Sequence, residues 1–384
     1  MKKIGICTTV SLTLKTFVVP TAEYLHKKFG YDITLICNED NDFEKSLPEY
    51  IHFIPVKMSR GVDLSGFKSV LDFIKIFRRE KFDMVQYSTP NAACYASIAA
   101  KLCRVPIRLY CQWGMRYIGL SGISRKILKL IEKMICRNST DIRVASRLNK
   151  EFAVSEGIYK ADKAAVVGNG GTIGVDMQLY NIEKKQEWRQ EIRSKYEVAD
   201  SDFVFGFSGR ISADKGCMEL FTAFKELTEG GLRAKLLIVG PFNDDCGIER
   251  KLVNWAKTSE NIIFSGMVDG SQMCKYYSAM DVLVHPTYRE GFGMVLQEAG
   301  ALAVPVITTK IPGASEVMED GVSCILVAPK SVSELENAMR MLISHQDRGI
   351  EIGRAAYKRT KQYYDRSIML ENQMLDYRTI LEAR

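Results

Sequence analysis

Segments with the character of β-strands alternate with helical segments along this chain, and the alternating series occurs twice. The first series contains KIGICTTV, DITLICNE, DMVQYST and IRLYCQW, separated by helical segments at 21–29, 67–79 and 92–103. The second series follows the charged segment 181–202 and contains FVFGFSG, a helical segment at 218–229, AKLLIVG, NIIFSG, DVLVHPT and VPVITT. Because strands that are apolar throughout need cover on both faces, they indicate parallel sheets between helices. The sequence therefore predicts an α/β protein with two doubly wound domains joined near residue 180.

The length of 384 residues also favours two domains, because single hydrophobic cores rarely grow beyond about 250–300 residues. We place the domains at 1–180 and 181–364. A hydrophobic fraction of 46% and a charged fraction of 26% are typical of a folded soluble protein. No apolar run approaches the roughly 20 residues that span a bilayer. The opening residues MKKIGICTTV have too short an apolar run for a signal peptide, and we predict that they form the first strand.

The ten cysteines and four histidines are dispersed, and no C-x-x-C pair occurs. Disulfide frameworks belong to small secreted domains, and structural zinc sites need closely spaced ligands. We therefore expect reduced and mostly buried thiols in a cytoplasmic protein, with neither a metal nor another cofactor. Two D-x-D triplets, at 40–42 and 200–202, are too common by composition to indicate a metal site.

The positive charge is concentrated in the first half of the chain. Residues 1–180 contain 27 Lys and Arg against 17 Asp and Glu, whereas the remainder contains 26 against 29. This imbalance favours an anionic partner for the first domain: a nucleic acid, an anionic membrane or a phosphorylated substrate. A nucleic-acid site would need a basic stripe with interleaved aromatic residues. The basic residues here are spread out, so we do not expect nucleic-acid binding.

The stretch FSGRISADKG combines a strand end with two cations and a helix start. In open α/β sheets, ligands bind beyond the carboxyl ends of the strands. Arg210 and Lys215 would lie there, beside the positive end of a helix dipole, which is a suitable arrangement for a phosphate group. The alternative is a solvated loop with ordinary surface charges.

A second strand end is followed by YREGFGMVLQEAG, which contains two glutamates around a Gly-Phe-Gly turn. Gly291 and Gly293 let the backbone approach a ligand closely, and N–H groups at the helix start near Met294 can hold phosphate or sugar oxygens. A carboxylate accepts two hydroxyl groups at once, as a sugar diol requires. Glu290 on a sugar and Glu298 on a ribose, with cations on a diphosphate, would form a nucleotide-sugar site. The predicted donor contacts in this stretch also include Phe292, Met294 and Val295.

These motifs together resemble those of family 4 of the retaining glycosyltransferases, which have the GT-B fold. The matching motifs are G-R-x4-K-G, H-P-T-x2-E-G-F-G-x4-E-A and PGASEVMEDG. The resemblance covers essentially the whole chain and is strongest to the branch that builds capsule and O-antigen polysaccharides. It implies two Rossmann-like domains that face an interdomain cleft, and a C-terminal helix at 365–384 that packs back on the first domain.

The resemblance also implies roles for individual residues. Glu290 would contact the donor sugar and Glu298 the ribose, while Arg210 and Lys215 would neutralise the diphosphate. The backbone at the end of the strand NIIFSG would contact the nucleotide base, at Gly266, Met267 and Val268. Glu316 occupies a further position of the family motif, where capping of a helix is an equal alternative.

The first domain departs from the family pattern at two places. Thr9 and Ser11 follow the first strand where many relatives have a glycine pair, and we predict that their hydroxyls face the acceptor. Trp113 replaces a histidine that often contacts the donor sugar, and Arg116 lies three residues on. We assign both residues to the acceptor side of the cleft. Trp113 could stack on a sugar or be a core aromatic. Asn169 and Gly170 lie in GNGGTIGVD, which we interpret as a loop lining the cleft, the alternative being a tight turn.

The segment 122–137, GISRKILKLIEKMICR, has the pattern of a basic amphipathic helix. Such a helix can lie on an anionic membrane, or it can pack on the core and expose a solvated basic face. With the positive charge of the first domain, it favours a membrane-borne, pyrophosphorylated acceptor.

The sequence thus predicts a retaining glycosyltransferase at the inner face of the cytoplasmic membrane. It would move a hexose or N-acetylhexosamine from a nucleotide sugar, with UDP favoured, to a polyprenyl-diphosphate-linked sugar in cell-surface polysaccharide synthesis. We assign catalysis to Arg210, Lys215 and Glu290. The alternatives are a sugar-nucleotide epimerase of the same fold and a non-catalytic nucleotide-sugar-binding protein. A nicotinamide oxidoreductase is disfavoured, because neither domain opens with the dinucleotide fingerprint.

Overall fold

The computed structural model describes residues 1–59, 65–242 and 246–383. By its internal contacts the chain divides into two compact units. The first comprises Met1–Ile173 and Ser367–Arg384, and the second comprises Gly174–Arg366. The boundaries predicted from the sequence were 180 and 365. Among the described residues, no helix is both long and apolar enough to cross a bilayer.

The first unit is built on a parallel sheet that has seven strands in the described part of the chain, in the order β3-β2-β1-β4-β5-β6-β7. The strands are β1 Lys3–Cys7, β2 Asp32–Cys37, β3 Ile51–Pro55, β4 Met84–Tyr87, β5 Ile107–Gln112, β6 Asp141–Val144 and β7 Ala164–Ala165. The helices between them are α1 Ser11–Phe17, α2 Val19–Phe29, α3 Asn41–Ser46, α4 Ser65–Glu80, α5 Pro90–Leu102, α6 Gly122–Asn138 and α7 Arg147–Ser155.

Helices cover both faces of this first sheet, as its continuously apolar strands require. On one face the core contains Cys7, Phe73 and Tyr87, with α4 and α5 packed over them. On the other face it contains Ile4, Ile6 and residues of α1 and α2. The period-2 alternation of β1 therefore sends successive side chains into two separate cores.

The second unit repeats the architecture, with a parallel sheet of six strands in its described residues, in the order β10-β9-β8-β11-β12-β13. The strands are β8 Val204–Ser208, β9 Lys235–Val239, β10 Ile262–Gly266, β11 Val282–His285, β12 Val306–Thr309 and β13 Ile325–Val327. The helices are α8 Lys185–Lys195, α9 Cys217–Glu229, α10 Arg250–Thr258, α11 Met273–Ala279, α12 Met294–Ala301, α13 Ala314–Val317, α14 Val332–Ser344 and α15 Gln346–Tyr363. Short 3₁₀ turns lie at Arg116–Gly119, Ala161–Lys163, Ile182–Lys184, Ala213–Lys215 and Gly270–Gln272.

The charged segment 181–202 is an integral part of the second unit. Its helix α8 buries Trp188 and Ile192. The Arg193 side chain is 2% exposed and donates to Asp281 at 2.8 Å and to several backbone carbonyls. Arg193 is thus part of the folded core, because a guanidinium is tolerated in a buried position where carboxylate and carbonyl oxygens accept from it.

The last helix, α16 Arg366–Glu382, packs on the first unit. Arg143 at the end of β6 forms an ion pair with Asp376 at 2.7 Å. Tyr377 donates a hydrogen bond to Gln86 of β4, and its ring lies in the core with Ile380. Apolar contacts and polar contacts therefore both hold this helix against the sheet.

Candidate functional site

The carboxyl ends of four adjacent strands in the second unit form the edge at which the candidate site lies. These are β10, β9, β8 and β11, which are parallel neighbours in the sheet. Gly209 and Gly240 follow β8 and β9 with φ angles of 142° and 144°. A Cβ on Gly240 would lie 2.0 Å from the Gly209 carbonyl oxygen. Only glycine fits where these two chain segments approach so closely, so this edge presents backbone with little side-chain cover.

The loop after β8 is fixed against the loop after β11. Asp214 accepts from the Arg289 guanidinium at 3.0 Å, and its carbonyl accepts from the Tyr288 N–H at 3.0 Å. Gly216 precedes α9 with φ of 72°, and a Cβ there would lie 2.0 Å from the Pro286 carbonyl oxygen. The two predicted motif loops thus form one structural assembly.

Gly216→Ala should damage this assembly. The added methyl group meets backbone, and a left-handed φ costs a non-glycine residue about 1–2 kcal/mol by itself. With the clash included, we expect a loss of about 2–5 kcal/mol, together with weaker nucleotide binding. Gly231→Ala is the matched control, because Gly231 has φ of 86° and nothing lies within 4 Å of its Cβ position. Differential scanning calorimetry should show a clearly larger fall in Tm for G216A than for G231A. Equal falls in Tm would show that the close approach to the Pro286 carbonyl does not contribute to the loss of stability.

Glu290 lies in the β11–α12 loop and is held by three donors. Its Oε2 atom accepts from Lys215 Nζ at 3.0 Å and lies 3.2 Å from His285 Nε2, and its Oε1 accepts from the Gly291 N–H at 3.2 Å. Burial acts to raise the pKa of the Glu290 carboxyl, but the His285 hydrogen bond and the Lys215 charge outweigh it and hold this pKa well below its usual range. The carboxyl is therefore an anion, suited to accept hydroxyl groups and unsuited to act as a general acid.

His285, the last residue of β11, was not among the predicted site residues. It is 1% exposed, and burial lowers its pKa, against the effect of its hydrogen bond with Glu290. A neutral imidazole that faces a carboxylate carries its proton on Nε2, so His285 donates to Glu290. Its Nδ1 has no hydrogen-bond partner among the described residues. The H-P-T part of the motif was the available signal, but nothing in the sequence shows that this histidine orients the glutamate.

Glu298, on α12, belongs to a second group of hydrogen-bonded side chains, separate from that of Glu290. Its Oε2 accepts from the Tyr277 hydroxyl at 2.8 Å, and Tyr180 also donates to this carboxyl. Burial raises the pKa of Glu298 to about 7, although the two tyrosine hydrogen bonds and the charge of Arg366 lower it. The carboxyl therefore changes protonation near neutral pH. The two tyrosines lie outside the motif and could not be predicted from it.

Arg210 is the most exposed of the three residues assigned to catalysis. Its side chain is 53% exposed, and its Nη2 lies 3.8 Å from Asp214 Oδ2. Asp214 also accepts from Arg289, so the two arginines share this carboxylate. A weakly held, exposed guanidinium can turn toward an anion at low cost.

The remaining predicted donor contacts divide into backbone and side-chain positions. Gly293 caps α12 with φ of 65°, and Met294 begins the helix as predicted. The Phe292 ring is buried and packs edge-on against Tyr364, so any ligand contact there would come from its backbone. At the end of β10, Gly266 has φ of 71° and Met267 is exposed, as a base-binding turn would require, and Val268 follows.

The predicted acceptor residues of the first unit lie at the carboxyl edge of its sheet. The Thr9 hydroxyl lies 2.9 Å from the Thr89 hydroxyl, and Ser11 donates to Asp40 at 2.5 Å. Asp40 also caps α3, so its D-x-D triplet has a structural role. Among the described residues, no group of three or more His, Cys, Asp or Glu side chains could hold a metal ion.

The structure separates Trp113 from Arg116. Trp113 packs against Phe17 with ring centroids 5.6 Å apart, and it lines a small cavity beneath α16. Arg116 lines a different cavity between α4, α5 and α6. The loop with Asn169 and Gly170 is pinned to the sheet by the hydrogen bond from the Gly171 N–H to the Ala145 carbonyl.

Two family models match the two halves of the chain. "Glycosyl transferase 4-like" matches residues 6–146, and "Glycosyl transferases group 1" matches residues 189–359. The capsular polysaccharide biosynthesis glycosyltransferase CapM of Staphylococcus aureus is 30% identical over 94% of this chain and 93% of its own length. A UDP-Gal:alpha-D-GlcNAc-diphosphoundecaprenol alpha-1,3-galactosyltransferase of Escherichia coli is 23% identical over 80% of this chain and 79% of its own.

Solved structures agree with the fold. Sucrose-phosphate synthase of Thermosynechococcus elongatus superposes with a TM-score of 0.83 at 17% identity, covering all of both chains. Anabaena HepE, in complex with UDP and glucose, gives 0.81 at 19% identity, with 99% of this chain and 100% of HepE covered. The predicted pair of Rossmann-like domains is therefore confirmed. The chain belongs to the family 4 glycosyltransferases of the GT-B fold, in the branch that contains the capsular polysaccharide enzyme of Staphylococcus aureus.

Proposed function

We propose that this glycosyltransferase moves a hexose or N-acetylhexosamine from a UDP-sugar to a sugar on a polyprenyl diphosphate, with retention of anomeric configuration, in cell-surface polysaccharide synthesis. The observation that carries the proposal is the buried contact of Lys215, Glu290 and His285 at the strand ends of the second unit. Support for UDP comes from HepE, solved with UDP-glucose. Support for the lipid-linked acceptor comes from the name of the Escherichia coli relative.

The geometry suits a donor whose diphosphate lies over Lys215. An ammonium group has three N–H donors, so Lys215 can keep its bond to Glu290 and still donate to phosphate oxygens. Glu290 then accepts hydroxyl groups of the sugar next to that diphosphate. The cation and the anion are already paired in the free protein, so little reorganisation is needed when the donor binds.

In the proposed reaction, the bond between the anomeric carbon and the diphosphate oxygen breaks, and its electron pair leaves with UDP. The acceptor hydroxyl bonds to the same face of the anomeric carbon and gives its proton to the departing oxygen. Lys215 and Arg210 stabilise the growing negative charge, a role for which we propose that no metal is needed. Glu290 serves as an acceptor for sugar hydroxyls and does not attack carbon, because its oxygens are held by Lys215, His285 and the Gly291 N–H.

We assign acceptor binding to the first unit and place the enzyme at the inner face of the cytoplasmic membrane. The excess of Lys and Arg over Asp and Glu in residues 1–180 supports an anionic, diphosphate-bearing acceptor. The basic helix α6 exposes Lys126 and Arg137 to solvent, and anionic lipid would attract such side chains.

Isothermal titration calorimetry with UDP-, GDP- and ADP-sugars tests the donor. We expect binding of UDP-sugars with a Kd at least tenfold lower than for the others. Transfer to synthetic lipid-diphosphate sugars, followed by NMR of the new anomeric centre, then tests the acceptor and retention. Release of free UDP without an acceptor, together with epimerised sugar, would identify an epimerase. Tight binding without turnover on any acceptor would identify a binding protein.

A further inference from the structure

The first unit has an exposed apolar surface on helices α4 and α6. Six large apolar side chains on these helices and on the residue Leu120 just before α6 are between 40% and 76% exposed: Phe67, Leu71, Leu120, Ile123, Ile127 and Leu130. On α6, Ile123, Ile127 and Leu130 follow each other at spacings of four and three residues, so they form one stripe along the helix. The inward face of α6 is formed by other residues, including Glu132, Ile135 and Cys136. The stripe is therefore additional to the face that packs on the core, and an apolar surface of this kind indicates an interaction site.

A groove opens within this surface, between α4, α5 and α6. It has a volume of about 630 Å³, in the range that encloses drug-sized ligands. Its lining is mostly apolar and includes Phe67, Val70, Ile98, Ile127 and Ile131. A flat bilayer surface cannot fill a concavity of this size, whereas a flexible methyl-branched chain can adapt to it.

The charge around the groove is positive. Arg116 is part of its lining, and α6 carries five cations against one acid, Glu132. Two of these cations, Arg125 and Lys129, form ion pairs with Glu156 at the C-terminal end of α7, whereas Lys126 and Arg137 are exposed. Glu132 is buried and accepts from Tyr110 and Gln112, so its carboxyl does not offset the cations at the surface. An apolar groove with a cation in its wall is complementary to a lipid that has an anionic head.

We propose that this groove binds the isoprenoid chain of the lipid-linked acceptor, with Arg116 on its diphosphate. The inference rests on the proposed function for the choice of an isoprenyl diphosphate as the ligand. It adds a site that the family motifs do not contain, because none of the lining residues belongs to them. It also gives Arg116, predicted from the sequence to contact the acceptor, a defined role at the head of the chain.

The test measures binding of farnesyl diphosphate by calorimetry, without a sugar donor, so that the result does not depend on sugar transfer. Ile127→Glu places a charge in the groove wall, and we expect at least a tenfold loss of affinity. Ile123→Glu is the matched control: it lies one turn away on the same helix, is 76% exposed and does not line the groove. We expect its affinity to stay within twofold of the wild type. Arg116→Gln should weaken farnesyl diphosphate about tenfold and leave farnesol binding unchanged.

Three results would overturn the inference. The wild type could bind inorganic diphosphate as tightly as farnesyl diphosphate, which would show that the protein binds the anion and that the groove does not bind the isoprenoid chain. The two glutamate variants could lose vesicle binding equally, on phosphatidylglycerol vesicles, and keep farnesyl diphosphate affinity, which would make the surface a bilayer contact. Both variants could retain all lipid binding, which would leave the surface to a protein partner. UDP-sugar binding, measured in the same variants, tests the proposed function separately and should be unchanged.

Discussion

Lys215→Ala is expected to lower kcat by a factor on the order of 10²–10³, with a smaller change in the donor KM. The Lys215 ammonium lies 3.0 Å from Glu290 and is largely buried, so its charge is poorly screened by water. The negative charge of the leaving diphosphate grows as the glycosidic bond breaks. A cation beside it therefore stabilises the transition state more than the bound donor. Steady-state kinetics with the donor identified by calorimetry give the two parameters separately.

The same substitution also removes a partner of Glu290, and the two effects must be distinguished. In Lys215→Ala the carboxylate of Glu290 loses its cation. The double variant Lys215→Ala with Glu290→Gln replaces this carboxylate with a neutral amide. If the loss of kcat came only from misplacement of Glu290, the double variant would be no slower than Glu290→Gln alone. Lys225→Ala is the matched control, because Lys225 lies in the following helix in an exposed pair with Glu229 at 3.7 Å. Such pairs contribute little, and kcat should stay near that of the wild type. Near-normal turnover of K215A would exclude the role of this lysine in departure of UDP.

The fold could be predicted from the sequence because its strands are apolar throughout. The helical segments predicted at 67–79, 92–103 and 218–229 are confirmed as α4, α5 and α9, with ends that differ by a few residues at most. The strands β3, β6, β7 and β13 were not predicted. They lie near the edges of the sheets, where burial is incomplete on one side and the run of apolar residues is correspondingly short. The pattern therefore identifies central strands better than edge strands.

The sequence identified those site residues whose chemistry the two motifs make evident, and it missed residues whose role depends on packing. Lys215 and Glu290 come from the two different motifs, and the structure places Lys215 Nζ 3.0 Å from Glu290 Oε2. His285 lies within the second motif, five residues before Glu290, but the motif does not show that its ring faces the carboxylate. Tyr277 lies on α11, and its hydrogen bond to Glu298 depends on how α11 packs against α12, which a linear pattern does not contain. The ligand roles assigned to Glu298, to Trp113 and to the acceptor residues remain predictions, because the structure places these side chains without showing what they bind.

Donor affinity is expected to rise with pH up to about 7 and then to level off. Burial raises the pKa of Glu298 to about 7, so below this pH the carboxyl is mainly protonated in the free protein. In the predicted donor site the ribose hydroxyls donate to the ionised carboxylate of Glu298, so binding below this pH would first have to remove its proton. The ionisation of Glu298 alone should therefore make the apparent Kd for UDP about 30-fold higher at pH 5.5 than at pH 8.5. Calorimetry across this range, in buffers of different ionisation enthalpy, measures both the affinity and the proton released on binding.

The variant Glu298→Gln distinguishes the pH dependence due to this carboxyl from that due to the nucleotide, because the terminal phosphate of the nucleotide itself titrates near pH 6. The amide keeps an oxygen that can accept from Tyr277 but has no charge to gain. At pH 8.5 we expect an affinity about 10–100-fold below the wild type, as the loss of one or two charged hydrogen bonds implies. The remaining pH dependence of E298Q is then that of the phosphate alone. Glu219→Gln is the control, since Glu219 is a buried carboxyl that accepts from the Tyr288 hydroxyl and is not a predicted donor contact. A wild-type profile no steeper than that of E298Q would show that Glu298 does not receive the ribose.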